Sequence, residues 1–161
     1  MTDKQLEASR IVEAPPDKIF ALLITPDRHP ELDASGTVRG SRTHHPLSAV
    51  GDVFEMEMHG EDMGDYVVDN HVVTFEPDRE IAWTIEGTIR PPLQHVYGYR
   101  LEPADGGTLV TSYCDWSNLR EDYRPFLTFP IVPESALKGT LGILDRTVRR
   151  RASAGSGRDG A

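Results

Sequence analysis

The sequence predicts an α+β domain: a curved antiparallel sheet of about seven strands wrapped around a long C-terminal helix, with two short helices after the first strand. Three observations predict it. Extended segments rich in alternating or β-branched residues follow one another through short Gly-, Pro- and Asp-bearing turns, which describes a meander rather than βαβ units. A helical signal interrupts them only near the start, in APPDKIFALL. Near the other end Leu137, Leu141, Leu144 and Val148 recur at spacings of four, three and four, one face of a helix. A sheet with one apolar face must cover it, and a long amphipathic helix does so. A strongly curved sheet gripping a helix tends to leave a hollow between them.

LEASRIVEA (6–14) reads as the first strand. In the helix that follows, Pro15 and Pro16 stand where a helix begins, Asp17 lies in the first turn, and Ile19, Phe20, Leu22 and Leu23 form the apolar stripe. Pro26 ends it, and the polar DRHPELDAS, with Pro30 inside, suggests a short broken helix. GTVRGSR (36–42) is a short polar edge strand, able to pair with a second copy in a homodimer. VFEMEMH (53–59), YVVDNHVVTFEP (66–77), IAWTIEGTI (81–89), HVYGYRLEP (95–103) and TLVTSYCDWS (108–117) complete the strands, the last pair joined by the hairpin signal ADGG. NLREDYRPFLTFPIVP (118–133) is irregular and aromatic; its FLTFP stretch, with Met63, is a candidate cavity mouth or lid, or packs on the final helix. Gly139 and Gly142 inside that helix mark close backbone approach or room left for something.

With 161 residues the chain suits one domain, 1–151, followed by a Ser- and Gly-rich tail, 152–161, expected to be disordered. The net charge is −9, and four arginines, Arg149, Arg150, Arg151 and Arg158, sit in the last 13 residues. The rest of the chain, 13 basic against 25 acidic residues, would repel a phosphate backbone, so no nucleic-acid partner is expected. The RRR run is expected to be a solvated helix end. No apolar run reaches the ~20 residues of a membrane helix, and MTDKQLEASR has no signal-peptide core, so no membrane insertion and a cytoplasmic location are expected. Cys114 is the single cysteine, which excludes an intrachain disulfide and favours a buried structural thiol. No Gly-x-Ser-x-Gly elbow, phosphate-cradling loop or metal-ligand spacing is present, and no cofactor or metal is expected.

Strand parity supplies candidate residues. In VFEMEMH the inward face is Phe54, Met56 and Met58, because the alternative buries two glutamates. His95, Tyr97, Tyr99 and Leu101 share one face, as do Ile81, Trp83 and Ile85. Parity is less sharp in the two longest strands. There the faces with Asp69, His71, Val73 and Phe75, and with Val110, Ser112, Cys114 and Trp116, are favoured over their alternatives, and a bulge would switch parity part-way. From alternation alone, Phe54, Met56, Met58, Trp83, Tyr97 and Tyr99 either fill a core or line a pocket. His95 and His71, with Asp69 near the latter, are weak candidates for acid–base chemistry. His29 and His59 lie near predicted loops and carry no further signal.

IVEAPPDKIFALLITPDRHPELD, GDVFEMEM, VVTFEPDREIAW, YRLEPADGGTLVT, CDWSNL and FPIVPESALKGTLGIL, spanning most of residues 10–148, together resemble the START-like (SRPBCC) superfamily with its helix-grip fold. The likeness is to its bacterial polyketide cyclase/dehydrase and lipid-transport branch. It implies a cavity between sheet and C-terminal helix that holds a hydrophobic small molecule, a lipid or an aromatic polyketide. Its candidate ligand-binding set is Phe54, Met56, Met58, Trp83, His95, Tyr97, Tyr99, Cys114, Trp116 and Leu141. The branch has no universal catalytic motif, and fold alone does not license an enzyme. Three readings follow: a binding or carrier protein; an aromatase/cyclase or dehydratase acting in the same cavity; and an interaction module with a solid core.

Overall fold

A computed structural model of the chain describes residues 4–61, 64–87, 94–119 and 133–159, the last nine by backbone only. The FLTFP stretch and Met63 lie outside the described residues. The elements run β1 (Gln5–Val12), α1 (Pro16–Leu23), a 3-10 turn (Pro26–Arg28), α2 (His29–Leu32), β2 (Val38–Ser41), β3 (Val53–Gly60), β4 (Gly64–Glu76), β5 (Glu80–Glu86), β6 (Val96–Ala104), β7 (Gly107–Asp115) and α3 (Glu134–Asp159). The strands form one antiparallel sheet in the order β1-β7-β6-β5-β4-β3-β2, a meander from β2 to β7 with β1 returning beside β7.

α1 starts as its prolines predict, with Pro15 extended ahead of Pro16, and buries Ile19, Phe20, Leu22 and Leu23. α3 packs on β1 and buries Leu137, Leu141, Leu144 and Val148. Gly139 does allow close approach: a Cβ there would come 2.8 Å from that of Ala34. Gly142 instead leaves space beside the guanidinium of Arg10. That guanidinium meets the buried Asp145 at 3.0 Å, and Arg149 reaches the same carboxylate at 3.2 Å and Glu13 at 3.5 Å. Arg149 is therefore not part of a merely solvated cluster: it ties α3 to the chain after β1. The helix also continues to Asp159, into the segment expected to be a disordered tail. Extending an existing helix adds one hydrogen bond per residue without a new nucleus, which offsets the poor propensity of serine and glycine.

Parity is as expected in β3, where Phe54 and Met56 are buried, Met58 is half-buried, and Glu55 and Glu57 are exposed. It is corrected in β4. Val68, Asn70 and Val72 are buried on the inner face with Tyr66 beside them, so Asp69, His71 and Val73 face outward, Val73 being 44% exposed. The cause is a bulge: Val72 pairs with Trp83 and Thr74 with Ala82, leaving Val73 as the extra residue. Beyond it parity flips, and Phe75 returns inward to meet Phe20 edge-on at 5.5 Å. In β7 the favoured face is the inner one, with Val110, Ser112 and Cys114 all buried. Tyr113 is buried on the opposite face, because Gly98 leaves room for its ring and Arg100 lies over it at 4.6 Å. β2 is the outer edge of the sheet, four residues long with a register shift between Val38 and Gly40. Both features blunt an edge against pairing with another chain.

Candidate ligand-binding cavity

The inner face of the sheet behaves differently at its two ends. At one end Val72, Ile81, Leu101 and Val110 close against α1 and the middle of α3 in a solid core. At the other, the same strands and the start of α3 part around a hollow of about 820 Å³. The switch is visible along single strands. Ile85 and Trp83 of β5 border the space while Ile81 does not; Tyr97 and Tyr99 of β6 border it while Leu101 does not. On α3, Ala136, Leu137 and Thr140 border it, whereas Leu141 and Leu144 belong to the solid end.

Seven of the candidate residues, Phe54, Met56, Met58, Trp83, His95, Tyr97 and Tyr99, line the hollow. Three do not. Leu141 lies beyond its floor, because periodicity identifies a helix face but not which turn of it meets open space. Cys114 is fully buried beside Tyr97, and burial pushes its thiol up to about 11, a structural rather than reactive state. Trp116 follows the end of β7, its N–H donating to the Lys4 carbonyl at 2.9 Å. Asp69 and His71 sit on the outer face, where His71 lies 4.0 Å from Glu86; neither touches the hollow.

The sequence gives no sign of His29, yet it stands in the wall. A hydrogen bond of 2.7 Å to the Leu23 carbonyl fixes it, and its ring stacks on Trp83 at 5.4 Å and meets the edge of Phe54 at 5.3 Å. Trp83 in turn lies 5.4 Å from Phe54 and 6.1 Å from Tyr99, so four rings share one corner. His29 is surrounded by protein, still keeps some open surface, and borders the hollow. Asn70, on the face of β4 that the sequence disfavours, is another wall residue outside the candidate set, a polar group inside the apolar stripe of that strand.

The interior is electrically quiet. Burial lowers the pKa of His95 to about 4 and lowers that of His29, so both imidazoles are neutral near pH 7. Burial, helped by the Asp33 charge, raises the Tyr99 phenol to about 12 despite Ser112 beside it, and Tyr97 is raised further. Asp33 is the one charged side chain among the described lining residues. Its carboxylate is engaged by the N–H groups of Ser35, Gly36 and Val38 and by the Ser35 hydroxyl, which shapes the α2–β2 loop at the rim. A separate groove of about 880 Å³ runs outside the sheet past Asp17, Arg79 and Glu102. It is polar, of mixed charge and lacks the enclosing rings, so the inner hollow is the better candidate site.

A curved sheet that grips its C-terminal helix at one end and parts from it at the other around an apolar space is the START-like, helix-grip class of protein. Within that class the chain belongs to the polyketide cyclase / dehydrase and lipid transport family, whose model matches residues 3–150. A curated relative, Uncharacterized protein Rv0088 of Mycobacterium tuberculosis, is 33% identical over 96 residues, covering 58% of this chain and 40% of that protein. Among solved structures, protein NE0264 from Nitrosomonas europaea aligns with a TM-score of 0.68 at 12% identity, over 95% of this chain and 99% of that one. Protein MLL2253 from Mesorhizobium loti aligns with a TM-score of 0.64 at 21% identity, over 91% of this chain and 98% of that one. The di-domain ARO/CYC StfQ from the steffimycin biosynthetic pathway aligns with a TM-score of 0.66 at 15% identity, over 92% of this chain and 51% of that one. At these identities the structures speak for the fold alone. Among the described residues no helix is long and apolar enough to cross a membrane.

Proposed function

We propose that this protein binds an apolar small molecule, lipid-like or aromatic, in the hollow between the sheet and α3. The observation that carries the reading is the division of one sheet face into a solid end and an open end. Residues of the same type and parity pack in one place and border about 820 Å³ of space in the other. That volume lies in the range of small-molecule sites, and the wall offers flat rings and adaptable methionines. The solid-core reading requires filled space behind Met56 and Tyr99, and both border the hollow. The cyclase or dehydratase reading keeps a single candidate from the sequence, His95, whose neutral ring meets Tyr97 edge-on at 5.4 Å.

Mass spectrometry of the purified protein under native conditions tests the proposal. A co-purified lipid or aromatic molecule supports it, and so does a thermal shift by members of an apolar-ligand screen. A bare mass together with no shift from any member of the screen refutes it. For the enzyme reading, His95→Phe abolishes turnover of a polyketone while binding persists; equal loss of both means that His95 only packs.

A further inference from the structure

His29 spends its one ring hydrogen, and Asn70 one of its two amide hydrogens, on the protein's own backbone, and each keeps an acceptor besides. A carbonyl only accepts, so the His29 atom that meets the Leu23 carbonyl at 2.7 Å is a protonated Nε2. Its ring is neutral, which leaves Nδ1 with a lone pair and no hydrogen. The same logic orients Asn70: its Nδ2 donates to the Phe54 carbonyl at 3.3 Å, which turns Oδ1 the other way. Neither Nδ1 nor Oδ1 bonds to a described residue or counts among the sealed, unpartnered atoms, and both residues border the hollow. Phe54 joins the two, with its ring against His29 and its carbonyl held by Asn70.

We propose that His29, with Asn70 on the other side of Phe54, supplies the acceptor that selects an uncharged, planar ligand presenting a hydroxyl hydrogen at the Phe54–Trp83 corner. The proposal rests on the reading of the hollow as a binding site and adds the ligand's chemistry to it. A phenolic or alcoholic O–H satisfies such an acceptor directly. At His29 Nδ1 an ether of the same shape leaves the acceptor unpaired, and a carboxylate sets its own lone pairs against it with no cation among the described lining residues to compensate. The corner is aromatic on three sides, with Trp83, Phe54 and Tyr99, so a flat ring seats there with its hydroxyl toward the acceptors.

The test is calorimetric titration of the full chain with 2-naphthol, 2-methoxynaphthalene and 2-naphthoate at pH 7.5, beside the apolar-ligand screen described above. The expected order is naphthol tightest, its methyl ether about tenfold weaker and the carboxylate weaker still, the value of one buried hydrogen bond. His29→Phe keeps a ring against Trp83 without the acceptor and should bring the naphthol-to-ether ratio to about two. Asn70→Leu should lower the ratio in the same direction, and serves if the histidine variant folds poorly. Equal affinity for naphthol and its ether in the unaltered protein overturns the proposal and leaves the binding function standing. So does naphthoate binding tightest, or failure of all three probes while other members of the screen bind. Silence of the probes and of the whole screen overturns both.

Discussion

The partition of one sheet face into solid and hollow ends makes a sharp prediction about two matched deletions. Leu144→Ala and Met58→Ala each remove three heavy atoms. Leu144 is fully buried at the solid end, whereas Met58 is half-buried and borders the hollow. Loss of the leucine forfeits about 2.4 kcal/mol of transfer energy at ~0.8 kcal/mol per methylene, and the new void adds to this, for a total of about 3–5 kcal/mol. The methionine deletion merely widens a space that already exists, so the void adds little and the cost is about 1 kcal/mol. Urea denaturation followed by circular dichroism measures both, and in a domain of this size the thermal midpoints should fall by about 6–15 °C and about 3 °C. Equal costs would sink the reasoning, because they would mean that Met58 sits in filled space in solution.

Stability should also fall with acid, in a direction that burial dictates. The folded-state pKa of His95, about 4, lies below the ordinary histidine value of 6.5, so the unfolded chain binds the proton more readily. The stabilisation is complete above the unfolded value and is lost as pH falls toward 4; between pH 7 and 5 the loss is about 2 kcal/mol, and His29 adds in the same sense. His95→Phe should flatten the slope, and an unchanged slope in that variant assigns it elsewhere. Gly98→Ala sets a methyl group 2.5 Å from the Tyr113 ring and 2.8 Å from Ala82, so it should cost about 1–3 kcal/mol, partly restored by Tyr113→Leu. Full recovery in the double variant, or no loss in the single one, contradicts that packing. Asp145→Asn should cost about 1–2 kcal/mol, since the carboxylate is buried but Arg10 and Arg149 are half-exposed. A loss that high salt does not diminish would argue against an ionic role.

How much of this was legible in the sequence depended on whether local pattern carried the information. β3 was readable because Glu55 and Glu57 alternate with Phe54, Met56 and Met58, so only one face can go inside. β4 was not, because the valine pairs 67–68 and 72–73 put apolar groups on both faces and the bulge at Val73 resets the parity that Phe75 announces. The face of α3 was plain from its spacing, but the boundary between its packed and open turns is set by the curvature of the sheet, which no helical period encodes. His29 was hidden for a related reason. It begins a four-residue helix in a polar stretch, and its significance lies in Trp83, Phe54 and Leu23, two of them distant in sequence.

The separation of packed and open ends has a consequence for how such a chain changes over generations. Residues that hold the molecule together and residues that shape its interior surface belong largely to different turns of the same elements, as Ile81 and Ile85 do on β5. Substitutions at the open end therefore alter the shape and polarity of the chamber at small thermodynamic penalty, while those at the packed end cost several kcal/mol. A scaffold arranged in this way can change the lining of its interior without passing through unfolded intermediates, and its interior chemistry is freer to diverge than its architecture.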